Sequence, residues 1–107
     1  MKIDIFKFHK IVDTLMIHIE DTIYKNFDTQ DIDCEIQYRT MILTFLNKNQ
    51  IIINRQESLR QIWLATQYNG YHFIYYNLQW ICNKSRDNFF NILAKSCTIE
   101  TNKIIYF

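Results

Sequence analysis

Between Ile5 and Phe27 the apolar positions Phe8, Ile11, Val12, Leu15, Ile19 and Ile23 recur at intervals of three and four. That spacing gathers them on one stripe of an α-helix and predicts a single long helix. After the polar turn Asp28-Thr29-Gln30 the period falls to two. Ile32–Gln37, Met41–Leu46, Gln50–Gln56, Gln61–Gln67 and Tyr71–Asn77 then read as strands, with Trp80–Asn83 as a short sixth. The polar stretches between them are too short for a parallel crossover, so the sheet is expected to be an antiparallel meander. Asn69-Gly70 favours a two-residue turn with positive φ at both positions and predicts a hairpin joining Gln61–Tyr68 to Tyr71–Asn77. A second helix is expected to start near Ser85 as N-cap, with Asp87 in its first turn. It would show Phe89, Phe90, Leu93 and Cys97 on one side and end near Thr98–Thr101.

Two helices with one apolar stripe each most simply share one face of the meander. The expected fold is therefore α+β: a two-layer sandwich, two helices on one face of an antiparallel sheet of five to six strands, in a single domain spanning residues 1–107. Asn102–Phe107 is apolar enough to pack back onto it. The other sheet face is left to solvent. If Ile62 and Leu64 point to the helices, alternation sends Gln61, Trp63 and Ala65 outward, together with Asn54, Gln56 and His72 on neighbouring strands. An outward tryptophan among amides points to a binding surface.

The same alternation acts on Asp31-Ile32-Asp33-Cys34-Glu35-Ile36. Asp31, Asp33 and Glu35 share one face and Ile32, Cys34 and Ile36 the other, with successive carboxylates roughly 6.5–7 Å apart. A row of like charge invites a cation or a basic partner; a merely solvated strand face is the plainer reading. Glu20 and Asp21 fall near the C-terminal end of the first helix, where its dipole disfavours negative charge.

Charge is unevenly spread. Residues 1–37 carry eight acids against four bases, and residues 38–107 carry eight bases against three acids, which gives the molecule a negative portion and a positive remainder. The absence of proline, the single glycine at Gly70 and the lack of repeats leave no room for a linker or a disordered segment. No apolar run has the length of a signal peptide or a membrane span, so a soluble, cytoplasmic protein is expected. Cys34, Cys82 and Cys97 have neither C-x-x-C nor paired-ligand spacing and read as small core residues. No phosphate-cradling glycine loop is present, no Ser/His/Asp or Cys/His arrangement is assignable, and His18 has no evident partner. An open sheet bearing aromatics could stack bases, but the Gly-rich aromatic strand motif and a basic cluster on that face are missing, so no nucleic-acid partner is expected.

The strings Asp31-Ile-Asp-Cys-Glu-Ile36, Ile51-Ile-Ile-Asn-Arg-Gln-Glu57, Ile62-Trp-Leu-Ala-Thr66, Gly70-Tyr-His-Phe73 and Trp80-Ile-Cys82, in this order and spacing, resemble the bacterial branch of the frataxin family from about Phe8 to Cys97. The resemblance implies a protein that binds iron weakly through surface carboxylates. It further implies that such a protein regulates iron–sulfur cluster assembly by docking, as a monomer, on the cysteine desulfurase and near the scaffold protein. Carried over residue by residue, Glu20, Asp21, Asp31, Asp33 and Glu35 match the family's acidic ridge, and His9 matches a metal-associated histidine. Asn54, Gln56, Trp63 and His72 match its exposed sheet surface. Where bacterial relatives continue the ridge with acids, this chain has Tyr24, Lys25, Phe27 and Thr29, and its overall balance is slightly basic. That departure favours docking over iron storage. The alternative activities implied by the family are iron(II) oxidation, using His9 with the ridge, and iron delivery or storage.

A single strand row converges poorly on one ion. A helix carboxylate such as Glu20 or Asp21 must complete any site, the ion would stay largely hydrated, and Lys25 opposes it.

Overall fold

The computed structural model describes residues 2–28 and 30–107. Helix α1 spans Ile5–Asn26; Asp4 caps it by accepting the Lys7 amide at 3.2 Å, and Phe8, Val12, Leu15, Met16, Ile19 and Ile23 form its buried stripe. Strands β1 (Ile32–Gln37), β2 (Thr40–Phe45), β3 (Gln50–Gln56), β4 (Gln61–Ala65), β5 (Gly70–Tyr76) and β6 (Gln79–Cys82) follow, then helix α2 (Phe89–Thr101). The sheet is a six-stranded antiparallel meander in chain order, with β1 and β6 at its edges. Both helices pack against one face of it. Their stripes meet Ile32, Met41, Leu43, Ile51, Ile53, Ile62, Leu64 and Phe73 in an apolar core, and among the described residues no polar or charged residue is buried there.

The strand boundaries match the sequence expectation or differ from it by a residue or two, whereas the Asn69-Gly70 turn differs in kind. Neither Asn69 nor Gly70 has positive φ. Gly70 already pairs with Ala65, and the connection is folded by Thr66, whose hydroxyl accepts the amides of Tyr68 at 3.2 Å and Asn69 at 3.0 Å. The two-residue turns with both φ positive lie instead at Tyr38-Arg39 (49° and 69°) and Asn77-Leu78 (51° and 66°). They join strands paired Gln37 to Thr40 and Tyr76 to Gln79. Left-handed residue pairs match the strand twist, and these hairpins adopt them without glycine.

Helix α2 also starts later than Ser85. An isolated bridge between Ile81 and Asn88 closes residues 83–87 as a loop, and Asn88 becomes the N-cap, its side chain accepting the Phe90 amide at 2.8 Å. Beyond α2, Asn102 turns the chain with φ 58°, Lys103 Nζ donates to the Asn26 carbonyl at 2.8 Å, and Ile105 is buried. Phe107 stacks on Phe90 with ring centroids 6.4 Å apart, so the terminal residues pack back over the helices.

Candidate functional site

Strand β1 has a neighbour on one side only, and α1 passes over its core face, so the α1–β1 border forms a rim of the sandwich. Ile32 and Cys34 are buried under the helix. Asp33 and Glu35 therefore face away from the core, opposite Thr44 and Ile42 of β2, and Asp31 stands exposed in the turn just before. From the helix side Glu20 is half-buried and Asp21 exposed.

Two titratable groups feel acids of both the helix and the strand. Burial, and then the charges of Glu20 and Asp33, push the Cys34 thiol up to about 11. The Tyr24 phenol is raised by desolvation, then by Cys34, Glu20 and Asp33. Both groups thus feel the same pair of carboxylates, one from each element. Among the described residues none of Glu20, Asp21, Asp31, Asp33 or Glu35 takes part in an ion pair; the pairs are His9–Glu57, Arg39–Glu57 and Arg55–Asp13. Glu35 accepts a hydrogen bond from the Gln37 side chain. No group of three or more His, Cys, Asp and Glu side chains is arranged to enclose a metal ion among the described residues. An open row of this kind suits a hydrated, exchangeable cation or a basic protein surface. Of the departures from the family's acidic pattern, Tyr24 and Lys25 are exposed and Phe27 is buried, while Thr29 lies outside the described residues.

His9 is not brought to this rim. It lies in the first turns of α1, roughly 16 Å along the axis from Glu20. Its Nδ1 is 3.1 Å from Arg55 Nη1, and its Nε2 is 3.2 Å from Glu57 Oε2 and 3.3 Å from Arg39 Nη1. A guanidinium only donates, so Nδ1 accepts from Arg55 and the ring proton sits on Nε2, directed at Glu57. Arg55, on the core side of β3 with its side chain only 8% exposed, also donates to Asp13 at 2.7 Å. Both ring nitrogens are occupied, and a cation there would meet two guanidinium groups.

The opposite sheet face carries the second set. Asn54, Trp63 and His72 are direct cross-strand partners on β3, β4 and β5, and Gln56 pairs with Gln61 in the adjoining row. Trp63 stacks flat on His72, centroids 4.2 Å apart and planes 9° apart, and its Nε1 donates to Gln61 Oε1 at 2.8 Å. The indole is thus held by a stack and a hydrogen bond while Trp63 stays partly exposed. Ile52, Ile74 and Ile81 extend this surface with partly exposed apolar groups.

A feature not anticipated from the sequence is the Cys82 thiol. Burial raises its pKa, but hydrogen bonds from the Ser85 hydroxyl and from the Ser85 and Lys84 amides outweigh that and leave it lowered. It lines a groove of about 310 Å³ beside His72 and Lys84. Cys97, in contrast, is pushed up to about 12 by burial and then by Glu100.

The frataxin-like domain model matches residues 1–103. The chain belongs to the frataxin family. It is 52% identical over 101 residues to the iron–sulfur cluster assembly protein CyaY of Buchnera aphidicola subsp. Baizongia pistaciae, covering 94% of this chain and 86% of that protein. It is 50% identical over 100 residues to the CyaY of the Schizaphis graminum subspecies, covering 94% and 83%. Among solved frataxin structures, that from Psychromonas ingrahamii superposes with a TM-score of 0.90 at 32% identity over 97% of both chains. A trimeric frataxin from the yeast Saccharomyces cerevisiae, complexed with ferrous ion, superposes with a TM-score of 0.75 at 23% identity over 87% of each chain, a likeness of fold. Among the described residues no helix of this frataxin is long and apolar enough to cross a membrane.

Proposed function

We propose that this frataxin is a cytoplasmic accessory protein of iron–sulfur cluster assembly. It docks as a monomer on the cysteine desulfurase through Glu20, Asp21, Asp31, Asp33 and Glu35 and presents Asn54, Gln56, Trp63 and His72 to the scaffold protein. The observation that supports the reading is the unpaired state of the rim carboxylates among the described residues: charges left free of internal cations there are available to a basic groove. The names of the Buchnera relatives supply the pathway. The stacked Trp63 supports the second contact, since a rigid aromatic loses little entropy on binding.

Iron enters as cargo. Held by carboxylates of the rim, with most of its water retained, it would exchange readily and partly neutralise the surface that meets the desulfurase. Iron(II) oxidation by His9 acting with the rim finds no support in this geometry, since the ring is engaged elsewhere.

Reversing Asp31, Asp33 and Glu35 together to Lys is expected to abolish desulfurase binding, measured by calorimetry at moderate salt. An affinity equal to that of the parent chain rejects the docking role.

A further inference from the structure

The rim does not end at its acids. Beyond Glu35 a groove of about 270 Å³ opens between α1 and the ends of β1–β3, lined by Asp13, Met16, Ile17, Ile36, Arg39 and Arg55. Ile17 is 58% exposed, Ile36 48% and the neighbouring Tyr38 99%. Large apolar side chains collected around one groove mark a contact surface more often than isolated exposed residues do. The charge there is also uncommitted on one side. Asp13 is neutralised by Arg55 at 2.7 Å, whereas Arg39, 61% exposed, uses only Nη1, which donates to Glu57 at 3.3 Å. Its Nε and Nη2 donors make no hydrogen bond among the described residues. A guanidinium with a free fork beside aliphatic walls is a receptor for a carboxylate carried next to an apolar side chain.

Resting on the docking role proposed above, we infer that this groove is a second contact area for the same partner: it seats an apolar side chain against Ile17 and Ile36 and a carboxylate on Arg39. The sequence of charges along the rim then sets the orientation of docking. Acids at Asp31, Asp33 and Glu35 give way to apolar groups and then to Arg39, over about 13 Å from Asp33 to the end of β1. The matching surface must run basic, apolar, acidic. The reversed placement would bring like charges together at both ends.

The test measures binding of purified bacterial cysteine desulfurase to the full chain and to three variants: Arg39→Glu, Ile17→Ser and the double reversal Asp33→Lys with Glu35→Lys. Thermal melting by circular dichroism reports the fold, and Ile17 is exposed enough that its replacement leaves the core intact. Arg39→Glu and Ile17→Ser are each expected to weaken binding about tenfold with unchanged melting, the size of a moderate hot spot. Unchanged affinity in both, with loss in the double reversal, overturns this inference and leaves the docking role standing. Loss in Arg39→Glu and Ile17→Ser but not in the double reversal supports the groove and overturns the acidic contact; absence of any binding by the parent chain overturns both. Dimerisation of the parent chain in sedimentation, lost in Ile17→Ser, assigns the groove to a second copy and also overturns the inference.

Discussion

His9 shows what residue identity alone conveys. A histidine near the start of the first helix, in a chain resembling frataxins, points to metal. Its fate is decided by Arg55 and Glu57, 46 and 48 positions away, which reach the two ring nitrogens across the sandwich. No local pattern carries that information, because Arg55 lies on the core side of β3, where alternation predicts an apolar residue. Arg55 is tolerated on that side because Asp13 and His9 take its donors, although Nε stays without a partner. Trp63 is the opposite case. Ile62 and Leu64 made its outward orientation legible, and the stack on His72 follows from the register. For His9 the geometry predicts a spectator in cation binding. Titration with manganese(II), followed by NMR line broadening, should affect the amides of Glu20 and Asp33 and spare the His9 ring. Broadening of that ring at substoichiometric metal would restore it as a ligand.

The elements were legible wherever hydrophobic period was the signal: α1 ends one residue from its expected limit, and β1 and β3 match their expected spans. Turns were not, because their chemistry is non-standard. The chain spends its single glycine on the first residue of β5 and builds its tight hairpins from Tyr38-Arg39 and Asn77-Leu78. A left-handed conformation costs an L-residue other than Gly or Asn roughly 1–2 kcal/mol. Leu78 accepts this with its side chain 83% exposed, so packing gives nothing visible in return. Leu78→Gly converts the turn to Asn-Gly and is expected to stabilise the fold by about 1 kcal/mol, raising the melting temperature by about 4 °C. A calorimetric melt that stays level or falls would show that Leu78 makes a compensating contribution.

For the molecule as a whole, the uneven spread of charge visible in the sequence acquires a location. The acidic residues 1–37 are α1 and β1, and these two elements lie side by side because the meander leaves β1 at an edge and α1 crosses over it. The sequence pattern alone could not show that Arg39 and Arg55 line one groove with Ile17 of the helix and Ile36 of the edge strand. A field organised in this way acts before contact. It orients a basic partner over distances comparable to the Debye length, about 8 Å at physiological ionic strength, and is screened as salt rises. On the docking proposed above, the association rate with the desulfurase should therefore fall by about tenfold between 50 and 500 mM salt, while dissociation, governed by short-range packing around the Ile17 groove, changes little. Stopped-flow mixing at several salt concentrations separates the two. A salt effect confined to dissociation would mean that the rim charges act only within the formed complex and do not steer the approach.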